Sequence, residues 1–306
     1  MRVAAIDLGS NSCVFLVLEG PVQQVLATDL AFCRLGEGLD ETGRLQPQGI
    51  ERSLDALKGF TERARDLGCD RIECVGTAAL REGSNRQELI DRAAEFGLRV
   101  RAITGEEEAL LSARAALDHL PPTQQALVVD VGGASTEFIL AQSGGDIVWR
   151  RSLPIGSVRL VERAGLFAPA QDAAWSAVVS DIGEALESLP HCPSVPVVAV
   201  AGTATTLVMC LKGMATYESS QVDQVEVSVA AMDGLLEDLK ALDLEQRILA
   251  YHLPRARADV FPVGITLLSQ VLKRQQTGHL TVRDRGVSWG LAQTLLAQEE
   301  RLLPNR

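Results

Sequence analysis

The sequence predicts an α/β protein built from two similar domains, and three observations carry that expectation. The chain has 306 residues, more than one hydrophobic core usually organises. Short apolar strands alternate with stretches whose apolar residues recur at helical spacing. A strand-turn-strand motif near the start also returns in mid-chain. Asp7-Leu8-Gly9-Ser10-Asn11-Ser12-Cys13-Val14-Phe15 lies in register with Asp130-Val131-Gly132-Gly133-Ala134-Ser135-Thr136-Glu137-Phe138, and Asp, Gly, Ser and Phe recur.

Taken in order, residues 3–7, 14–18 and 22–29 read as strands separated by short turns, a meander that begins a sheet. A glycine-bearing loop follows, Arg34-Leu35-Gly36-Glu37-Gly38. Ile50, Leu54, Leu57, Phe60, Ala64 and Leu67 then fall on one helical face. A strand ending in Val75-Gly76-Thr77 leads to a helix through Leu89, residues 99–103 form another strand, and a helix runs from Glu106 to about Leu120. Pro121-Pro122 stops it. The expected domains are therefore 1–122 and 123–306, with a C-terminal helix at about 290–306 able to pack back on the first. The second domain starts over with a strand at 126–129 and the repeated motif. Further on, Ala201-Gly202-Thr203-Ala204 opens a helix after the strand 197–200, as Val75-Gly76-Thr77-Ala78 does in the first half. A helix from Ala168, with Pro169 in its first turn, and helices near Leu235 and Leu267 read as packing elements.

Composition narrows the function. Hydrophobic residues make up 46% and charged residues 23%, a globular balance, and the few aromatics argue against a base-stacking surface. A formal net charge of −11 disfavours broad binding to nucleic acid or anionic membranes, so an anionic substrate needs a local site with its own cations. Six scattered cysteines without CxxC pairs suit reduced core thiols and a cytoplasmic setting. Neither a signal peptide nor a membrane span is expected. Four isolated histidines lack zinc spacing, and no GxxxxGK[ST] stretch occurs.

Each copy of the repeated motif reads as a hairpin whose glycines allow positive φ and expose backbone N–H groups, a shape that can cradle phosphate oxygens. Taken singly, a glycine turn after an aspartate is ordinary turn chemistry. Two matched copies, each followed by a strand-Gly-Thr-helix, are harder to explain that way, because turn propensity does not dictate matching order and spacing.

The ordered motifs Asp7-Leu8-Gly9-Ser10-Asn11-Ser12, Gly76-Thr77-Ala78-Ala79-Leu80-Arg81, Thr104-Gly105-Glu106-Glu107-Glu108-Ala109 and Asp130-Val131-Gly132-Gly133-Ala134-Ser135-Thr136-Glu137 resemble the exopolyphosphatase and guanosine pentaphosphate phosphohydrolase (Ppx/GppA) family. The likeness continues through Ala201-Gly202-Thr203 and Arg257-Ala258-Asp259 to Asp284-Arg285-Gly286. It implies the actin-like ATPase fold, two ribonuclease-H-like domains with an interdomain cleft. Long members carry a further helical domain; this chain resembles the short, two-domain form, which suggests a weaker grip on long substrate chains.

The resemblance implies roles as well. Glu108 matches the family's water-activating base. The cluster Glu106-Glu107-Glu108 also suits a helix N-terminus on structural grounds, with Thr104 and Glu107 spaced as a capping box. Asp130 and Glu137 match metal-associated carboxylates, with Asp7 contributing from the other domain, for Mg2+ or Mn2+. Direct ligation by Asp7 or Asp130 and a plain Asx turn both fit the residues alone. Arg81 matches a phosphate-contacting arginine; without the family, an ion pair with Glu82 or Glu88 is as good a reading. Ser10, Asn11, Ser12, Gly132, Gly133, Ala134, Ser135, Gly202 and Thr203 are the expected substrate contacts.

Two positions depart from the pattern. Ala134 stands where many relatives have a third glycine, and Gly286-Val287-Ser288-Trp289-Gly290 replaces a Leu-Arg-Glu-Gly pattern. Three readings follow. One is a magnesium-dependent exopolyphosphatase acting on inorganic polyphosphate, with guanosine pentaphosphate as a further candidate substrate. The second is a small-molecule kinase of the same superfold, and the third a noncatalytic sensor of alarmone or polyphosphate. A homodimer is suggested by the resemblance alone.

Overall fold

The computed structural model describes residues 1–121, 123–144, 146–166, 172–192 and 195–300. Pro122 and the expected helix start at Ala168 and Pro169 lie outside them. The chain divides into two compact units: Met1–Ala115 together with the helix Val287–Glu300, and Ala116–Gly286.

In the first unit, β1 (Arg2–Leu8), β2 (Cys13–Glu19), β3 (Gln24–Ala31), β4 (Arg71–Gly76) and β5 (Val100–Ala102) form a sheet in the order β3-β2-β1-β4-β5. The first three strands are an antiparallel meander, and β4 and β5 add in parallel. β1 is buried on both faces, and its alternation sorts its side chains between two cores. Ala4, Ile6 and Leu8 join the core that includes Ile50, Leu54, Leu57 and Phe60 of the helix Pro47–Asp66. Val3 and Ala5 face the other core, with Leu111 and Ala115 of the helix Gly105–Ala116 and Trp289, Ala292 and Leu295 of the helix Val287–Glu300.

Trp289 belongs to this second core and is 8% exposed. The glycine beside it is equally constrained, since a Cβ on Gly290 would lie 2.0 Å from the Leu111 carbonyl oxygen. The altered C-terminal motif therefore serves packing within the first unit.

The second unit repeats the plan. Its strands are β6 (Gln125–Val131), β7 (Thr136–Gln142), β8 (Ile147–Leu153), β9 (Val197–Val200), β10 (Val225–Ser228) and β11 (His279–Val282), in the order β10-β11-β9-β6-β7-β8. From β8 to β11 the order and directions match the first sheet strand for strand, and β10 is an extra antiparallel edge. The helices Asp172–Glu187, Ala201–Leu211, Val229–Ala241 and Phe261–Gln275 supply half of its core. Arg283, 1% exposed, fastens the segment entering this unit. It donates to the Ala116 carbonyl at 2.8 Å and to Asp118 at 2.8 Å, and its Nε donates to Asp223 at 2.7 Å. It also meets His119, which takes a hydrogen-bonding place here.

Some boundaries differ from expectation. The third strand starts at Gln24 because residues 20–23 are in a turn, with Gln23 at φ 54°. The glutamate-rich helix ends at Ala116, four residues early, where the chain turns instead of continuing to the prolines. The six cysteines are free thiols, four of them buried. No helix among the described residues is long and apolar enough to cross a membrane.

Candidate active site

The two repeated motifs are tight hairpin turns of the same construction. In the first, Gly9 N–H donates to the Ser12 carbonyl at 2.9 Å; in the second, Gly132 N–H donates to the Ser135 carbonyl at 3.0 Å. Glycine is favoured at both, for a reason other than the expected one. Neither Gly9 nor Gly132 takes the left-handed conformation. Instead, a Cβ would sit 3.0 Å from the Ser12 carbonyl oxygen in one turn and 2.9 Å from that of Ser135 in the other. Close approach selects glycine here, and positive φ does not. Ala134 likewise lies outside the left-handed region, so its methyl group is accommodated, buried at 5% exposure.

Each turn is bonded to the Gly-Thr motif of its own unit. Thr77 N–H donates to the Leu8 carbonyl at 3.1 Å, and Thr203 Oγ1 reaches the Val131 carbonyl, the equivalent position, at 3.4 Å. The reasons for glycine in these motifs differ. A Cβ on Gly76 would strike the Leu80 side chain at 2.3 Å, whereas one on Gly202 would strike the Arg257 guanidinium at 2.2 Å. Arg257 is buried and donates to Thr206 Oγ1 at 2.9 Å, and burial lowers its pKa to about 10.

In the first unit, Asp7, Ser10, Asn11 and Ser12 stand at or just beyond the end of β1. Ser10 is buried, and the Oδ1 of Asn11 is buried with no protein hydrogen-bond partner. The same unit brings Arg81 and Glu108 into direct contact through Arg81 Nη1 and Glu108 Oε2. Arg81 also donates to the Ile103 carbonyl at 3.2 Å, so its partner is Glu108 and neither Glu82 nor Glu88. The three glutamates divide their work. Glu107 is capped through its backbone by Thr104 Oγ1 at 3.1 Å and pairs with Arg101 at 2.6 Å, half of the expected capping box. Glu106 and Glu107 sit toward solvent, but Glu108 is 6% exposed. Burial raises the Glu108 pKa, with the Arg81 charge and hydrogen bond opposing that rise. A carboxylate in this setting is a stronger base than a solvated one.

In the second unit, Asp130 and Glu137 are direct cross-strand partners on β6 and β7, 8% and 3% exposed. Glu137 Oε1 accepts from Ser135 Oγ at 2.7 Å and from Ser152 Oγ at 2.8 Å. Ser152 escaped the sequence reading because only the pairing of β8 with β7 brings it there. Two buried carboxylates facing across a hairpin form a hard oxygen donor set that fits a magnesium or manganese ion. Among the described residues, no group of three or more His, Cys, Asp or Glu side chains could hold a metal. A magnesium ion here would keep waters or take substrate oxygens, as this ion ordinarily does.

Residues 16–299 match the Ppx/GppA phosphatase family. The chain is 31% identical to exopolyphosphatase 2 of Mycobacterium tuberculosis, over 96% of this chain and 98% of that protein. It is also 31% identical to the guanosine-5'-triphosphate,3'-diphosphate pyrophosphatase of Photobacterium profundum, covering 96% of this chain but 59% of that protein. Among solved structures, the Aquifex aeolicus Ppx/GppA family member aligns with a TM-score of 0.82 at 28% identity, covering 98% of each chain. An exopolyphosphatase from Cytophaga hutchinsonii aligns with a TM-score of 0.89 at 26% identity, over 97% of this chain and 98% of that one. These likenesses span both units and carry the actin-like, ribonuclease-H-like plan of each: the chain belongs to the Ppx/GppA phosphatase family.

Proposed function

We propose that the protein is a magnesium-dependent exopolyphosphatase that releases orthophosphate from the end of inorganic polyphosphate, with guanosine pentaphosphate as a second substrate at its 5' end. The observation that carries this reading is Glu108: a buried carboxylate paired with Arg81, on the same unit as one of the two glycine hairpin turns. Phosphoryl transfer needs an oriented acceptor and relief of charge on the transferred group, with little covalent machinery. Glu108 takes the proton of a water as its oxygen bonds to the terminal phosphorus, and the bridging P–O bond breaks toward the rest of the chain. Arg81 is placed to hold the carboxylate ionised and to offer its remaining N–H groups to phosphate oxygens. Ser10, Asn11 and Ser12 in one unit, and Gly132, Gly133, Ala134 and Ser135 in the other, bind phosphate oxygens, with Gly202 and Thr203 behind the second turn. Asp130 and Glu137 of the second unit would hold a magnesium ion, which when bound would neutralise charge on the leaving oxygens.

The test is phosphate release from short polyphosphate, long polyphosphate, guanosine pentaphosphate and ATP with magnesium, comparing the unmodified protein with Glu108→Gln. Release that falls by about 1,000-fold in the variant, with binding retained, is the expected result. Binding without turnover by the unmodified protein would favour the sensor instead. Phosphate recovered on an added metabolite and not in water would favour the kinase.

A further inference from the structure

Both hairpin turns are held from behind, by segments that no motif reading includes. Behind the second turn lies the start of the helix Ser157–Ala164. Its N-terminal N–H groups, which a helix leaves without internal partners, bond to the turn: Ser157 N–H donates to the Gly132 carbonyl at 2.9 Å, and Val158 and Arg159 N–H donate to the Gly133 carbonyl at 2.9 and 3.1 Å. No side chain caps this helix. Its N-cap, Gly156, lies so close that a Cβ there would sit 2.2 Å from the Gly133 carbonyl oxygen. The first turn is held in the same sense by another structure, the loop at 34–36. There Gly36 N–H donates to the Ser10 carbonyl at 2.8 Å and Arg34 N–H to the Asn11 carbonyl at 2.9 Å.

These bonds have a directional consequence. In a trans peptide the C=O of one residue and the N–H of the next point opposite ways. Fixing the Gly132 and Gly133 carbonyls against the helix therefore turns the N–H groups of Gly133 and Ala134 away from it, toward the open side of the turn. The same holds for Asn11 and Ser12 in the first unit. The helix end is accordingly no anion site itself, because its donors are taken up by the turn.

We infer that Ser157, through its backbone N–H, and Gly156, through its missing Cβ, are positioning residues that aim the donor N–H groups of the second turn at substrate phosphate. This rests on the proposed phosphate-binding role of that turn. Ser157 allows a clean test, since it is the first helical residue and follows an extended Gly156 at φ −104°, ψ 163°. Proline is favoured at that helix position and lacks the N–H, so Ser157→Pro deletes one bond while leaving the helix intact. Ser157→Ala keeps the N–H and loses only the hydroxyl contact to the Gly132 carbonyl at 3.3 Å.

The measurement is kcat and KM for phosphate release from tripolyphosphate, with tripolyphosphate binding by calorimetry and thermal melting on the same samples. The expected result is a loss of about tenfold or more in kcat/KM for Ser157→Pro and about 100-fold for Gly156→Ala, with weaker binding. Ser157→Ala should recover close to the unmodified values, and Ser157→Pro should melt with it. Ser157→Pro that binds and turns over normally would overturn the inference, as would equal losses in Pro and Ala variants. If the unmodified protein releases no phosphate, the proposed function fails, and binding alone decides this inference. Tripolyphosphate bound by the Ala variant and lost by the Pro variant sustains it, and no binding by any form sinks both.

Discussion

In the first hairpin Asp7 stands opposite Val14, whereas in the second Asp130 stands opposite Glu137. The strands, the turn bond and the Gly-Thr motif behind are otherwise repeated, so the backbone is common and the chemistry is not. One copy pairs its aspartate with an apolar partner and has Glu108 and Arg81 in the same unit; the other concentrates two carboxylates and two serine hydroxyls at its hairpin. The difference teaches that the repeat preserves a shape able to present N–H groups, while single side chains around it give one half a buried carboxylate–arginine pair and the other two buried carboxylates. Even the supports behind the turns differ, a loop in one unit and a helix start in the other, yet each engages two successive carbonyls.

The largest expected effect separates the halves at once. Glu108→Gln should lower turnover about 1,000-fold without changing the magnesium concentration needed, because Glu108 lies in the first unit. Converting the second hairpin to the first should do the reverse. Glu137→Val is expected to lower phosphate release about 100-fold and raise the magnesium concentration needed. Its stability should fall by about 1–3 kcal/mol, since the Ser135 and Ser152 hydroxyls lose their acceptor. A magnesium titration with a urea melt on the same protein checks both. Undiminished activity at the original magnesium concentration would remove Glu137 from the cation site.

Arg81→Ala should act through pH. Burial raises the Glu108 pKa and Arg81 opposes it, so removing the arginine leaves burial unopposed and the pKa climbs further. The base must be ionised, so the acid limb of kcat moves to higher pH, each unit being a factor of about ten in ionised carboxylate below the pKa. Stability follows the same linkage. A carboxyl whose folded pKa is raised contributes fully below its unfolded value, about 4.3, and that contribution is lost as pH rises through the folded value. In Arg81→Ala this window extends upward, which melting temperatures across pH will show. An unmoved acid limb would mean that Glu108 is not the group titrating in turnover.

The motifs of this fold were legible because they combine turn residues with strand ends, where local chemistry and tertiary position coincide. Asp7, Glu108, Asp130 and Glu137 are all found at or near ends of elements, and the contact of Arg81 with Glu108 joins two motifs already visible in the sequence. What escaped depended on pairing across distance. Ser152 is ordinary until β8 pairs with β7, and Gly156 and Ser157 look like any strand-to-helix passage until their backbone meets Gly132 and Gly133. Trp289 carries no signal of its own beyond an apolar helix, and its place depends on the chain returning to the first sheet. The need for glycine at positions 9 and 132 is of the same kind, because it comes from the close approach of the Ser12 and Ser135 carbonyls, which only the folded turn creates.

The smallest expected effect sharpens the comparison at the two helix starts. The helix that carries Glu108 begins with a side-chain cap, Thr104 Oγ1 accepting from Glu107 N–H, with Glu108 N–H bonded to the Thr104 carbonyl at 3.0 Å. The helix behind the second turn has no such cap, because the turn itself satisfies its N–H groups. Thr104→Ala therefore removes one ordinary cap and should cost about 1 kcal/mol in a urea melt, with the backbone bond that seats Glu108 retained. Turnover should follow stability in that variant, falling only as the folded fraction falls. In Ser157→Pro the two should part, with activity lost and stability kept. If Thr104→Ala instead loses turnover while fully folded, the cap is part of what holds Glu108 against Arg81, and the first unit positions its base as strictly as the second positions its N–H donors.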